Sequence, residues 1–130
     1  MPLDNLIKKI KKIFFYHKYN LFRKLRIFLK IDQKIFIKGQ ELILPPGHLL
    51  SLYNYLYPEY DEFILKLVKN LNKNDSVIDI GANVGDTLAR LVSSNSKPKY
   101  YSIEADEYFF KYLKKNNEKI TLNMQSRITL

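Results

Sequence analysis

The sequence predicts an α/β fold built on a parallel sheet, and the predicted sheet occupies the second half of the chain. Residues 76–80 (SVIDI) and 100–104 (YYSIE) are short apolar runs typical of buried strands. Helical patterns follow them over about 84–95 and 106–117, and a glycine turn, 81–85 (GANVG), joins the first strand to its helix. This alternation predicts parallel strands connected by right-handed crossovers.

The basic residues divide the chain into two parts. At 130 residues and 46 % hydrophobic composition, the chain can form one domain with a core. The net charge of +9 lies wholly in the first 40 residues, which contain eleven Lys and Arg residues and only two acidic residues, Asp4 and Asp32. We therefore separate a basic segment, 1–33, from a domain, 34–130. The chain has no cysteine, which excludes disulfide scaffolds, thiolate metal sites and cysteine nucleophiles.

Residues 3–30 have the pattern of a basic amphipathic helix or a pair of helices. Apolar residues recur at helical spacing and lysines fill the other side. The apolar positions are Leu3, Leu6, Ile7, Ile10, Ile13, Phe14, Leu21, Phe22, Leu25, Phe28 and Leu29. The helix either packs on the domain with its lysines in solvent or docks on an anionic membrane surface. We expect no specific nucleic-acid partner, because no base-reading motif accompanies the lysines.

The sequence contains neither a membrane span nor a secretory signal. The longest apolar run near the start is IFFY at 13–16, whereas a span needs ~20 apolar residues. A signal peptide needs an apolar core and a small-residue cleavage site, and neither is visible. We expect a cytoplasmic protein, with the inner face of the membrane as a place of peripheral attachment.

A β-hairpin is predicted directly after the basic segment. Residues 34–47 alternate in hydrophobicity around a turn at Gly39-Gln40, and Pro45-Pro46-Gly47 ends the second strand because proline donates no hydrogen bond. The apolar positions are Ile35, Ile37, Leu42 and Leu44. The tyrosine-rich residues 49–57 are interpreted as a connection, either packed on the domain or forming an aromatic binding wall.

A helix is predicted over 58–72. Pro58 suits its first turn, and the charges suit the helix dipole, with acids near its start and lysines near its end. The acids are Glu59, Asp61 and Glu62, and the lysines are Lys66, Lys69 and Lys73. The expected buried stripe is Phe63, Ile64, Leu67, Val68 and Leu71. At the other end of the chain, residues 127–130 have the pattern of a third strand.

The glycine turn is the strongest candidate for a binding site. Ligands bind at the carboxyl ends of parallel strands, where the backbone N–H groups at the start of the next helix are free to donate. Gly81 and Gly85 permit a tight turn at this place. A dinucleotide fingerprint, G-x-G-x-x-G, fits poorly because Asn83 and Asp86 occupy its second and third glycine positions. The pattern acid-x-G-x-G-x-G fits better from Asp79 onward, since Asn tolerates left-handed backbone angles.

Glu104, at the end of the second strand, is a second candidate contact. In nucleoside-binding α/β folds an acid at this place accepts hydrogen bonds from ribose hydroxyls, and an ionised carboxylate makes strong charge-assisted bonds. The alternatives are that Asp79 only caps or supports the glycine loop and that Glu104 is an ordinary solvated strand end.

The segment VIDIGANVGDTLARL, together with YYSIEADEYFFKYLKKNN, resembles the opening of the FkbM family of S-adenosylmethionine-dependent methyltransferases. Their first motif runs D-x-G-A-N-x-G, and an acid ends their second strand. The resemblance covers about residues 40–130, is strong over 77–117 and is vague over 1–39. One departure is Ala105, at a position where the family frequently has proline.

The resemblance implies a Rossmann-like methyltransferase fold with a seven-stranded sheet. It further implies S-adenosylmethionine as the cofactor and O-methylation of a sugar or another small acceptor. By the same resemblance, Asp79, Gly81, Asn83 and Gly85 line the methionine end of the cofactor, and Glu104 holds its ribose.

The acceptor half of such a fold lies on strands four to seven, which the 130 residues do not contain. We therefore expect an N-terminal portion of the methyltransferase domain with an incomplete parallel sheet and an open edge on its first strand, inactive or weakly binding by itself. No catalytic residue and no metal are assigned, and His17 and His48 are expected to be surface or packing residues. The alternatives are a non-catalytic cofactor-binding module and a membrane-surface interaction protein that uses residues 1–30.

Overall fold

The computed structural model of the chain describes residues 3–59, 61–94, 98–121 and 128–129. The elements, in chain order, are α1 (Leu3–Leu29), β1 (Gln33–Ile37), β2 (Gln40–Leu44), α2 (Leu50–Leu56), α3 (Glu62–Val68), β3 (Ser76–Ile80), α4 (Asp86–Val92), β4 (Lys99–Ile103), α5 (Glu107–Thr121) and β5 (Ile128–Thr129). Strands β1 and β2 form an antiparallel pair, and β3, β4 and β5 form a parallel sheet in that order. The predicted α/β class with a parallel sheet is confirmed.

The basic segment forms one helix, α1, of 27 residues. Tyr19 is the one residue of α1 that is buried, and the apolar side chains of this helix remain largely exposed. The helix joins the domain mainly through hydrogen bonds and ring stacking. In the part of the chain that the structure describes, no helix is apolar over enough of its length to cross a bilayer.

The hairpin forms as predicted, but its turn lies one residue earlier. Ile37 pairs with Gln40, so that Lys38 and Gly39 are the two turn residues. Both have positive φ, 48° and 85°, which is the conformation that a two-residue hairpin turn requires to match the twist of its strands. Strand β2 ends at Leu44, directly before the two prolines.

The region between the hairpin and the parallel sheet differs most from the prediction. Residues predicted as a connection form helix α2, because packing of Leu50 and Leu52 into the core outweighs the weak helix propensity of the tyrosines. Helix α3 begins at Glu62 and not at Pro58. Asp61, directly before α3, lies outside helical geometry, with φ −109° and ψ 11°, and its carboxylate lies 3.0 Å from Arg90 Nε.

The buried stripe predicted for α3 is confirmed only in part. Val68 is buried, and Ile64 and Leu71 pack against the core. Phe63 and Leu67 are exposed in the part of the chain that the structure describes, so the prediction was wrong for these two. The shorter helix makes contact along a narrower face than the sequence pattern indicates.

The strand–helix units of the parallel sheet lie close to their predicted positions. Helix α4 ends at Val92, before the predicted end, and α5 extends to Thr121, beyond it. Asp106 caps α5 as predicted, because its Oδ1 accepts the N–H groups of Tyr108 and Phe109 at 2.8 and 3.1 Å. The third strand is present at Ile128–Thr129, and the predicted end positions 127 and 130 lie outside the described residues.

The described helices cover one face of the parallel sheet. On that face Val77 and Tyr100 pack into the core with the apolar side chains of α4. On the other face Ile78 and Ile80 are 60 % and 80 % exposed, so β3 is a buried strand on one face only. Among the described strands, β3 pairs with β4 alone, which agrees with the expected open edge.

Asn116 joins three elements inside the core. Its side chain is fully buried on α5. The amide oxygen accepts the N–H of Ile43 at 2.8 Å, and the amide nitrogen donates to the carbonyl oxygens of Ile43, at 3.0 Å, and Val84, at 2.8 Å. One side chain therefore holds strand β2 and the glycine loop at a fixed separation.

Replacing Asn116 with alanine tests this role. Asn116→Ala leaves three buried backbone groups without a partner, and we expect the free energy of unfolding to fall by about 3 kcal/mol or more. The measurement is urea denaturation followed by circular dichroism. The control is Asn70→Ala at an exposed position, for which we expect a change within about 0.5 kcal/mol. Equal losses in the two variants would contradict the role of Asn116.

Candidate functional site

A cleft of about 900 Å³ lies beside the carboxyl end of β3. Its walls come from α1, the loop after β2, α2, the glycine loop and the first turns of α4 and α5. The lining residues are Arg23, Gly47, His48, Leu49, Leu50, Tyr53, Asn54, Tyr57, Asp61, Gly81, Asn83, Asp86, Thr87 and Phe109. The volume falls within the range of pockets that hold drug-sized ligands, and it leaves room for a nucleoside with a short side chain.

The glycine loop has an unusual backbone. Gly81, Asn83 and Gly85 have φ values of 80°, 51° and 88°, so three alternate residues are left-handed. The left-handed conformation expected to be tolerated by Asn83 is thus observed. The N–H groups of Gly81 and Ala82 both donate to the Ile103 carbonyl, at 2.9 and 3.0 Å, which ties the loop to the end of β4.

Glu104 supports the glycine loop from the neighbouring strand. Its Oε2 accepts the N–H of Asn83 at 2.7 Å, and its Oε1 accepts the N–H of Asp106 at 2.8 Å. Each carboxylate oxygen can accept a further hydrogen bond. The supporting role that the sequence left open for Asp79 therefore belongs to Glu104, which also keeps acceptor capacity for a ligand.

Asp79 lies behind the loop with no hydrogen-bond partner for one of its oxygens. It faces Ser102 across the β3–β4 pair, and neither Asp79 Oδ2 nor Ser102 Oγ finds a partner among the described residues. Burial raises the pKa of Asp79 above its ordinary value of 3.8, and the charges of Asp86, Asp61 and Glu104 add to the increase.

Arg90 is the buried cation of the site. It is 6 % exposed on α4, its Nε lies 3.0 Å from Asp61 Oδ2, and its Nη2 donates to Asn54 Oδ1 at 2.6 Å. Asp86, one turn earlier on α4, lines the cleft. Burial raises the pKa of Asp86, and Arg90 opposes the increase. An arginine within the otherwise apolar run LARLV was the one sequence signal for this ion pair.

His48 contacts the glycine loop directly. Its Nδ1 accepts the N–H of Leu50 at 3.2 Å, which places the ring proton on Nε2, and Nε2 then donates to Asn83 Oδ1 at 3.1 Å. Burial lowers the pKa of His48 below its ordinary value of 6.5, although the Asn83 bond and Asp86 act in the other direction. Both histidines were predicted to be surface or packing residues. His48 is half-buried and also lines the cleft, whereas His17 lies exposed on α1.

The structure brings the five predicted site residues together around one loop. Gly81 and Asn83 line the cleft, Gly85 belongs to the loop without lining the cleft, Glu104 holds the loop, and Asp79 lies at the end of β3 before it. Comparison with protein families, with curated proteins and with solved structures found no match. Within the described ranges no group of three His, Asp or Glu side chains is placed to hold a metal ion.

The protonation of His48 can be measured directly. In a His17→Gln variant, His48 is the remaining histidine. We expect long-range ¹H–¹⁵N spectra to show the Nε2–H form and a titration midpoint below 6.5. The unfolded chain binds the proton more readily, so the free energy of unfolding should fall as pH drops below about 6.5 toward the midpoint of the folded state. A midpoint above 6.5 or an Nδ1–H form would contradict this geometry.

Asp79 is predicted to reduce stability at neutral pH. Because its folded pKa is raised, its contribution to stability is complete at acid pH and is lost as pH rises through that pKa. We therefore expect Asp79→Asn to raise the melting temperature more at about pH 7 than at about pH 4. The control is Glu59→Gln, an acid-to-amide change at an exposed position. If the two variants showed the same pH dependence, the carboxylate of Asp79 would not be destabilising.

Proposed function

We propose that the cleft binds S-adenosylmethionine and that the chain carries the cofactor-binding part of a methyltransferase of the FkbM type. One observation carries the proposal. In the segment D-x-G-A-N-x-G, the residues after the parallel strand form a loop that is left-handed at Gly81, Asn83 and Gly85 and borders a cleft large enough for a nucleoside. Gly81 has no side chain, and no atom lies within 4 Å of the position that its Cβ would take, so the loop can offer its backbone directly to a ligand.

The position of Glu104 supports a ribose contact. Glu104 directly follows β4, which neighbours β3, and its carboxylate already holds the loop through the N–H of Asn83. The loop and the acid therefore form one rigid unit. In the proposal, the remaining acceptor positions of Glu104 take the hydroxyls of the ribose.

The charge of the site favours a cationic ligand over a diphosphate. Burial raises the pKa values of Asp79 and Asp86, and the Arg90 guanidinium is already paired with Asp61. The ammonium and sulfonium groups of S-adenosylmethionine would stabilise these carboxylates in their ionised form. The pyrophosphate of a dinucleotide would meet the carboxylates of Asp61 and Asp86, with Arg23 as the one cation among the lining residues, which agrees with the poor fit of the dinucleotide fingerprint.

The chemistry of the proposed reaction is a methyl transfer to an oxygen of a sugar or another small acceptor. S-adenosylmethionine supplies the electrophilic methyl group, and the protein aligns the acceptor oxygen with it. His48 is poorly suited as the base, because Leu50 N–H and Asn83 Oδ1 engage its two ring nitrogens. We therefore assign the described residues to cofactor binding and none to catalysis.

Titration of the ¹⁵N-labelled chain with S-adenosylmethionine and S-adenosylhomocysteine tests the proposal, since nuclear magnetic resonance also detects weak binding. We expect saturable shifts centred on the amides of 81–85 and on Glu104, with a Kd of about 1 mM or tighter. NAD⁺ should produce no such shifts. Absence of binding, or binding of NAD⁺ alone, would overturn the proposal.

Two variants test whether binding depends on the carboxylate of Glu104, which both holds the glycine loop and keeps acceptor positions for a ligand. We expect Glu104→Gln to weaken binding at least about tenfold, because an amide presents one acceptor oxygen where the carboxylate presents two. Glu107→Gln, three residues later and exposed, should bind as the unchanged chain does. Transfer of a labelled methyl group to a panel of saccharides then separates an enzyme from a cofactor-binding module, which would bind without transfer.

A further inference from the structure

Helix α1 contacts the domain along one side only. Its contacts recur every three or four residues, which places them on a single face of the helix. They are Lys12 Nζ to the Leu56 carbonyl, Phe15 stacked on Tyr55, Tyr19 Oη to the His48 carbonyl, and Arg23 Nε to the Gly47 carbonyl. This set is called the domain face below.

An apolar stripe runs along the opposite side of α1. Phe14, Leu21 and Leu25 each follow a domain-face residue by two positions, and two residues rotate a helix by about 200°. The stripe is formed by large apolar side chains that are 41–81 % exposed: Leu3, Ile7, Ile10, Phe14, Leu21, Leu25 and Phe28. Nothing in the described part of the chain covers it. The stripe exposes a continuous apolar surface, whereas the exposed apolar residues of an ordinary protein surface are scattered singly.

The rest of α1 is strongly basic. Its sequence contains eight Lys and Arg residues against Asp4. Lys11, Lys18 and Lys24 lie at the borders of the stripe, three or four positions from its members, so cations flank the apolar side chains. An apolar face bordered by lysines is complementary to the anionic headgroups and acyl chains at a membrane surface.

We propose that α1 docks in the plane of an anionic membrane, with the apolar stripe at the boundary between headgroups and acyl chains. The 27 residues of the helix extend about 40 Å along the surface. The domain face stays turned away from the lipid, so the bonds of Tyr19 and Arg23 to the loop after β2 persist when the helix docks.

A second copy of the chain fits the stripe less well than lipid does. Paired helices would bring eight cations on each chain together, and like charges at a helix pair are destabilising. Four apolar residues of α1 recur every seven positions, as one row of a coiled coil does: Ile7, Phe14, Leu21 and Phe28. A coiled coil needs a second apolar row, but His17 and Lys24 occupy its positions in the second half of the helix.

Vesicle co-sedimentation of the full chain tests the proposal. The vesicles are phosphatidylcholine alone, or phosphatidylcholine with about 30 % phosphatidylglycerol. We expect partition into the anionic vesicles only, weakened several-fold at about 0.5 M NaCl. No partition of the full chain into anionic vesicles, or equal partition into neutral ones, would overturn the proposal.

Two matched pairs of substitutions locate the contact. Phe14 and Leu21 are each 70 % exposed on α1, and Phe36 and Leu67 are 70 % and 65 % exposed elsewhere on the chain. We expect the double variant Phe14→Ser, Leu21→Ser to lose at least about tenfold in partition, and Phe36→Ser, Leu67→Ser to lose less than twofold. An equal loss in both would indicate general stickiness and overturn the proposal.

A spin label reports the orientation of the helix, since the chain has no cysteine of its own. On vesicles, we expect a label at Leu21→Cys to become accessible to oxygen and protected from a polar nickel reagent. A label at Asn5→Cys, on the side of the domain face, should stay accessible to nickel. The reverse pattern, or dimerisation in ultracentrifugation that depends on Phe14 and Leu21 without vesicle binding, would overturn the proposal.

Discussion

The buried amide of Asn116 is the interaction on which the arrangement of the site depends. It satisfies both backbone groups of Ile43 and the carbonyl of Val84, so the hairpin and the glycine loop are held by one rigid side chain. The segment that leaves β2 therefore passes the loop at a fixed distance, and His48 reaches Asn83. A left-handed loop cannot satisfy its backbone groups through regular secondary structure, because its residues follow neither a helix nor a sheet. Asn116 and Glu104 supply the missing partners from two sides.

The same arrangement explains the unusual charge of the cleft. The loop brings Asp79 and Asp86 close together, and α3 adds Asp61, whereas Arg90 is the cation paired among them. Burial and repulsion from neighbouring acids raise the pKa values of Asp79 and Asp86, so the ionised forms of these two side chains reduce the stability of the fold at neutral pH. Groups perturbed in this way are typical of functional sites. The Arg90–Asp61 pair lies at the start of α3, so one buried ion pair joins that helix to α4.

Sequence signals of short range predicted the elements, and contacts of long range decided their details. The strands, the glycine loop and the Asp106 cap depend on neighbouring residues and were predicted correctly. Three hydrogen bonds of the site join residues 35, 36 and 73 positions apart: His48 to Asn83, Arg90 to Asn54 and Asn116 to Ile43. No periodicity in the sequence predicts these contacts. Helix α2 was missed because tyrosines have weak helix propensity. The hairpin turn was misplaced by one residue, since Lys38 carries a positive φ that is normally left to Gly or Asn.

Helix α1 shows why hydrophobic periodicity alone does not reveal what a helix contacts. Its apolar stripe predicts a buried face, and packing on the domain was the simplest interpretation. The structure instead attaches the helix by Tyr19 and Arg23, which donate to backbone carbonyls of the loop after β2. Those two bonds fix the rotation of the helix about its axis and direct Phe14 and Leu21 outward. The loop that α1 contacts also carries His48, which lines the cleft. The cleft therefore lies on one side of α1, and the apolar stripe lies on the other. A surface that holds the stripe would therefore also hold the cleft at a defined height above it.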